Sequence, residues 1–256
     1  MRTSEAPLIL SVDTATEKRS VAVLRGTRPL SLSVGDARSS SSSEVLADID
    51  RALREASIGV GDIDLFAAAV GPGSFTGLRS GLATLKAFSA TLEKPIVGIP
   101  TLHALAYAAG RGERVAALIP AGRGEVFAQF LGVTADGSIV EHEASTHIRM
   151  SALIAKALDT AGELKWAAMG GDAFVNQLVE EARRAGVEFV NAVFPDREQG
   201  VSEWTLARPV ESLAEVIGVL ALESFRRGVG EGAEGLHAMY VRASDAELKE
   251  QCPEQG

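Results

Sequence analysis

Asp64-Leu-Phe-Ala-Ala-Ala-Val70 followed by Gly71-Pro72-Gly73-Ser74-Phe75-Thr76-Gly77-Leu78-Arg79 is the stretch on which the fold turns. The apolar run ends at glycine and proline, which marks a short buried strand. Three glycines and a proline within seven residues impose a tight connection. Downstream, Leu78, Leu82, Leu85 and Leu92 recur at helical spacing with Phe88 on the same broad face. Strand, tight loop and helix in that order are the unit of an α/β layer.

The pattern extends both ways. Upstream, Leu8 to Asp13 and Ser20 to Leu24 read as two buried strands of a hairpin joined by the polar turn 14–19. Between them and the central stretch, Glu44 to Ala56 puts Val45, Leu46, Ile49 and Leu53 on one helical face. Pro95 to Ile99 is a further strand, and Thr101 is expected to cap a helix running to Ala109. The second half repeats the theme less cleanly. Strands are expected at Val115 to Ile119, Glu125 to Leu131 and Leu164 to Met169, with a turn at Asp136-Gly137 leading into Ser138 to His142. Helices are expected at 151–160, 173–185 and 212–227, loops over 191–210, and a last strand at Leu236 to Val241. A second lobe is expected from near residue 111, so that 1–110 with the helix at 211–228 form the first lobe, 111–210 the second, and 229–256 a C-terminal segment.

Charge separates the two halves. The 256 residues carry 25 Lys and Arg against 34 Asp and Glu, a net charge of -9. Residues 1–110 hold 11 of each sign, so the whole acidic surplus falls in the second half. Such a chain repels phosphate backbones, which argues against general nucleic-acid binding. The single cysteine, Cys252, excludes a disulfide framework or a cysteine metal cluster. Met1 to Pro7 is polar and the most apolar long run contains Arg79 and Lys86, so the expectation is a cytoplasmic protein without a membrane span.

Two constellations offer chemistry. The Gly71 to Gly77 loop, with Ser74 and Thr76 hydroxyls at a helix N-terminus, is either an anion pocket or a strand-to-helix turn. It is not a Walker A loop, because Leu78-Arg79 stands where Lys-Ser/Thr is needed. Asp13, followed by Thr14 and Thr16, can hold a hydrated magnesium ion or cap its own turn; Ala15, where a glycine would admit a phosphate, favours the cap. The four histidines form no His-x-x-x-His pair, since His142 and His147 are five apart. No Gly-x-Ser-x-Gly elbow is present. No catalytic residue, metal or cofactor is assigned.

Taken together, Ile9-Leu-Ser-Val-Asp-Thr-Ala-Thr16, Val70-Gly-Pro-Gly-Ser-Phe-Thr-Gly-Leu-Arg79, Gly98-Ile-Pro-Thr-Leu102, Arg123-Gly-Glu-Val-Phe127 and Met239-Tyr-Val-Arg242 resemble the bacterial TsaB (YeaZ) family. The resemblance implies a two-lobed actin-like ATPase (ASKHA; sugar kinase, Hsp70, actin) fold with a degenerate second lobe. It also implies a non-catalytic subunit that joins TsaD and the ATPase TsaE, forms a homodimer when alone, and meets tRNA only indirectly. That machinery moves threonylcarbamoyl from threonylcarbamoyl-AMP to N6 of adenosine 37 in ANN-reading tRNAs. The first-lobe helices are then the partner face, with Leu46, Ile49, Leu53, Leu78, Leu82 and Leu85 as candidates, although each also suits a core. The chain departs from the family pattern at Ser42, which replaces a histidine, at Pro120 and Gly122, which replace an acid and a base, and at Ala238, which replaces a proline. A self-sufficient actin-like ATPase using Asp13 and the glycine loop is the alternative. A peptidase has no supporting constellation.

Overall fold

The computed structural model describes residues 6–35, 42–159, 162–191, 204–230 and 232–241. The chain forms β1 (Leu8–Asp13), β2 (Ser20–Arg25), β3 (Arg28–Val34), α1 (Ser42–Ala56), β4 (Leu65–Gly71), α2 (Phe75–Leu92), β5 (Ile96–Pro100) and α3 (Thr101–Ala108). It continues with β6 (Gly112–Gly122), β7 (Glu125–Val133), β8 (Ile139–Glu141), β9 (Thr146–Arg149), α4 (Met150–Leu158), β10 (Leu164–Ala168), α5 (Asp172–Arg184), β11 (Val190–Asn191), β12 (Trp204–Leu206) and α6 (Ala214–Arg226).

These strands make two sheets with one plan. The first runs β3-β2-β1-β4-β5 and the second β8-β7-β6-β10-β12-β11, with β9 also on β7. In both, the founding strand is antiparallel to its hairpin partner and parallel to the strand on its other side: β1 with β2 and β4, β6 with β7 and β10. This doubled unit is the two-lobed actin-like fold. The second sheet ends on one side in the short strand β8, 3 residues long.

The first sheet is covered on both faces, which is why β1 and β4 are buried throughout rather than alternating. One face presents Leu10, Val12, Val23 and Phe66 to Val45, Ile49 and Leu53 of α1 and to Leu82 and Leu85 of α2. The other presents Ile9, Leu24 and Ala67 to Ile217 and Ala221 of α6. Helix α6 lies against β1 and β2 despite its distance in sequence, and α3 lies against β6 and β7. Gly218 admits this contact, since a Cβ there would lie 2.5 Å from Leu24 Cδ1. Ser11 Oγ donates to the Ala214 carbonyl at 2.6 Å and fixes the same helix.

Helix α1 is held by charge as well. Arg19, 7 % exposed, donates from Nε to Asp48 Oδ2 at 2.5 Å and pairs with Glu44 at 3.3 Å, while Arg51 closes on the other Asp48 oxygen.

Several sequence expectations need correction. Strand β3 was not expected; its Ser31 and Ser33 face α1 and interrupt the apolar signal, Ser31 Oγ donating to the Ala52 carbonyl at 2.7 Å. Thr101 opens α3 from inside rather than capping it, because Pro100 holds the N-cap position, and the buried Thr101 hydroxyl has no partner. Within the expected loop 191–210, Trp204–Leu206 pairs in parallel with β10, since Trp204 fills a buried aromatic cluster with Trp166. The segment Leu236 to Val241 is not a strand; one hydrogen bond, Met239 N–H to the Val70 carbonyl at 2.7 Å, joins it to β4. Residues 36–41, Thr160, 192–203, Arg242 and Cys252 lie outside the described residues.

Candidate functional site

The two elements with the strongest chemical signal, the Asp13 turn and the Gly71 to Gly77 loop, pack against each other. Asp13 is fully buried at the end of β1. One carboxylate oxygen accepts from Ala15 N–H at 2.8 Å and the other from the Thr16 hydroxyl at 2.6 Å, which closes the turn. Burial pushes the carboxyl above its usual range, and the bonds from Thr16 and Ala15 offset only part of that rise.

The glycine loop seats on this turn. Ser74 N–H donates to the Ala15 carbonyl at 2.8 Å, and Ser74 Oγ caps α2 by accepting from Gly77 N–H at 3.2 Å. Gly73, Gly77 and Gly81 line up at intervals of four. A Cβ at Gly73 would strike the Ala15 carbonyl, at Gly77 the Thr14 carbonyl, and at Gly81 the Thr14 hydroxyl. The surface that these glycines open is therefore filled by residues 14 and 15 of the same chain. Pro72 is buried, Thr76 is exposed, and Arg79 lies with its guanidinium carbon 3.8 Å over the Phe75 ring.

Between the lobes is a cleft of about 310 Å³ lined by Glu17, Arg123, Glu125, Gly171, Phe174 and Gln177, among others. Glu17 crosses it, accepting from Gly171 N–H at 3.1 Å at the start of α5. Arg123 forms the tip of the β6–β7 hairpin at φ 54°, flanked by Gly122 at φ 83° and Gly124 at φ 76°. Left-handed backbone suits glycine and costs an arginine on the order of 1 kcal/mol. Pro120 and Gly122, two of the departures from the family pattern, also line this cleft.

The histidines are held separately. His103 pairs with Glu141 at 3.2 Å and His147 with Glu125 at 3.0 Å, while the His142 ring contacts the Glu113 carbonyl at 2.8 Å. Burial lowers the His103 pKa against the opposing pull of Glu141. Among the described residues no three His, Cys, Asp or Glu side chains are grouped to hold a metal.

Of the candidate partner residues, Ile49, Leu53, Leu82 and Leu85 are buried in the core beneath α1 and α2, and Leu78 is buried in the core that joins the lobes. Leu46 is 45 % exposed. The outward face of this helix pair also carries Ala47, Asp50 and Arg54 on α1 and Arg79, Ala83, Ala87 and Ala90 on α2. Sequence periodicity missed the alanines, because small side chains contribute little to an apolar pattern.

The profile of the family described as TsaD, tRNA N6-adenosine threonylcarbamoyltransferase, matches residues 35–249. A tRNA threonylcarbamoyladenosine biosynthesis protein TsaB of Haemophilus influenzae is 34% identical over 123 residues, 46% of this chain and 51% of that protein. A tRNA N6-adenosine threonylcarbamoyltransferase of Protochlamydia amoebophila is 43% identical over 65 residues, 25% of this chain and 19% of that protein. The chain spans about half the length of the curated TsaB relatives it matches. YeaZ from Pseudomonas aeruginosa shares the fold, with a TM-score of 0.66 at 23% identity over 91% of this chain and 99% of that one.

Proposed function

The chain belongs to the family described as TsaD, tRNA N6-adenosine threonylcarbamoyltransferase, and from that premise and its similarity to TsaB and YeaZ we propose that it is a TsaB/YeaZ-type, non-catalytic subunit of a tRNA threonylcarbamoylation machinery. In this reading it docks on a TsaD transferase in the cytoplasm and the transferase performs the chemistry. TsaE joins the same assembly, tRNA is held mainly by the partner, and the chain pairs with itself when TsaD is absent. The observation that carries the non-catalytic reading is the packing of the glycine loop against the buried Asp13 turn. A nucleotide-binding cradle needs open glycine backbone and inward amides. Here Thr14 and Ala15 fill the glycine surface and Ser74 N–H is bonded to Ala15.

The docking face in this proposal is the exposed side of α1 and α2, with Leu46 at its centre and the α2 alanines allowing close helix approach. Its test is co-elution of the purified chain with the TsaD of the same organism. A stoichiometric complex supports the reading, and two separate peaks at micromolar concentration overturn it. The second reading, a self-sufficient ATP-binding enzyme, draws support from the interlobe cleft and its Arg123. Calorimetry with Mg-ATP on the chain alone discriminates: turnover that survives in the absence of TsaD favours the enzyme.

A further inference from the structure

After α6 the chain crosses the end of β4, where its backbone is held at two points. Lys86 Nζ donates to the Leu236 carbonyl at 3.0 Å, and Met239 N–H donates to the Val70 carbonyl at 2.7 Å. The crossing is close-fitted. Leu236 is buried against Gly98, where a Cβ would lie 2.6 Å from Leu236 Cδ1, and Gly71, at φ 108°, would place a Cβ 2.6 Å from the Met239 carbonyl oxygen.

Although the backbone is fixed, Met239 and Tyr240 remain 42 % and 49 % exposed. The Tyr240 ring lies 5.2 Å from Phe75, whose ring is in turn covered by Arg79. Arg79 has no ion pair among the described residues. Half-buried Phe75 and exposed Arg79 begin a line on α2 that continues in steps of four through the exposed Ala83 and Ala87, so the stack is continuous with the proposed docking face. Tyrosine and arginine dominate binding energy at protein interfaces, and side chains already held in place lose little entropy on association.

We propose that Met239, Tyr240, Phe75 and Arg79 form the anchor of the docking face, gripping a helix of the TsaD partner that offers an apolar surface to Tyr240 and Met239 and a carboxylate to Arg79. The occupant follows from charge and shape: a guanidinium with no ion pair among the described residues calls for an acid, two large exposed side chains call for an apolar surface, and the alanines beyond them admit a helix at close range. The proposal rests on the docking reading above.

The test is the affinity of the full chain for purified TsaD of the same organism, with the variants Tyr240→Ala, Tyr240→Phe, Met239→Ser and Arg79→Glu, and with Arg184→Glu on α5 as a distant control. Tyr240→Ala and Arg79→Glu are expected to weaken binding by about 30-fold or more, and Tyr240→Phe and the control by less than about threefold. Thermal melts accompany each variant. If Tyr240→Ala lowers the melt, the exposed side chains Met239 and Arg79 decide, with losses supporting the anchor. Wild-type binding that all four first-lobe variants retain within about threefold overturns the anchor and leaves the docking reading standing. No wild-type binding overturns both. Arg79→Glu that weakens tRNA retention by the chain alone, with TsaD affinity unchanged, makes the stack a nucleic-acid contact and also overturns the proposal.

Discussion

Adding one methyl group at Gly77 tests the seating of α2 on the Asp13 turn. The new Cβ would overlap the Thr14 main-chain carbonyl, which cannot rotate away because β1 and the Asp13 turn fix it. Overpacking of this kind costs about 1–3 kcal/mol and more where backbone must move, against a helix-propensity gain of about 1 kcal/mol for Gly→Ala. The expected net loss for Gly77→Ala is about 2 kcal/mol or more, or roughly 4–8 °C in melting temperature for a chain of this size. Gly81→Ala meets the Thr14 side chain instead. Removing that side chain with Thr14→Ala should therefore rescue Gly81→Ala but leave Gly77→Ala impaired, a double-mutant cycle with opposite outcomes at two glycines one turn apart. Gly61→Ala, with open space around it, is the control and should stay within about 0.5 kcal/mol of wild type. Urea unfolding followed by far-ultraviolet circular dichroism measures all of these. Gly77→Ala within about 0.5 kcal/mol of wild type, or rescue of both glycines by Thr14→Ala, would refute the packing argument.

Asp13→Asn keeps an acceptor for Ala15 N–H and reverses the bond to Thr16, its amide donating to the hydroxyl oxygen, while removing the buried charge. Because the folded carboxyl titrates above its unfolded value, its charge weakens the fold once pH rises through both values and not below them. Asn should therefore stabilise the chain near pH 8, with the advantage shrinking toward about pH 4; a pH series of urea melts with no such trend contradicts this. Asp48→Ala removes the closer of the two carboxylates on buried Arg19 while Glu44 remains, and should cost about 1.5–3 kcal/mol, read by the same melts. Leu46→Glu, at an exposed position, should leave the melt within about 0.5 kcal/mol and weaken co-elution with TsaD; unchanged co-elution would move the docking face elsewhere.

Legibility in the sequence followed the strength of local signals. Strands β1, β2 and β4 were legible because burial on both faces makes them continuous apolar runs, and α2 because its leucines repeat at helical spacing. Strand β3 is no continuous apolar run: Leu30-Ser-Leu-Ser-Val34 alternates with its serines inward, Ser33 buried and Ser31 bonded to α1, and Leu32 and Val34 outward. Trp204 was hidden because its place is set by Trp166 from a distant strand. At the candidate site, the residue types at positions 13 and 71–77 were evident. Their contact with each other was not, since nothing local tells a glycine that opens toward a ligand from one that receives a neighbouring carbonyl. The segment Leu236 to Val241 reads as a strand in sequence because its apolar residues serve two purposes, Leu236 filling the core and Met239 and Tyr240 facing outward.

The central claim, a subunit that supports the chemistry without performing it, is tested most directly by reconstituted transfer of threonylcarbamoyl from threonylcarbamoyl-AMP to an ANN-reading tRNA. With TsaD and TsaE of the same organism present, the account predicts modified adenosine only when this chain is added, and none from the chain alone. Modification at the same rate without the chain, or by the chain without TsaD, would contradict it.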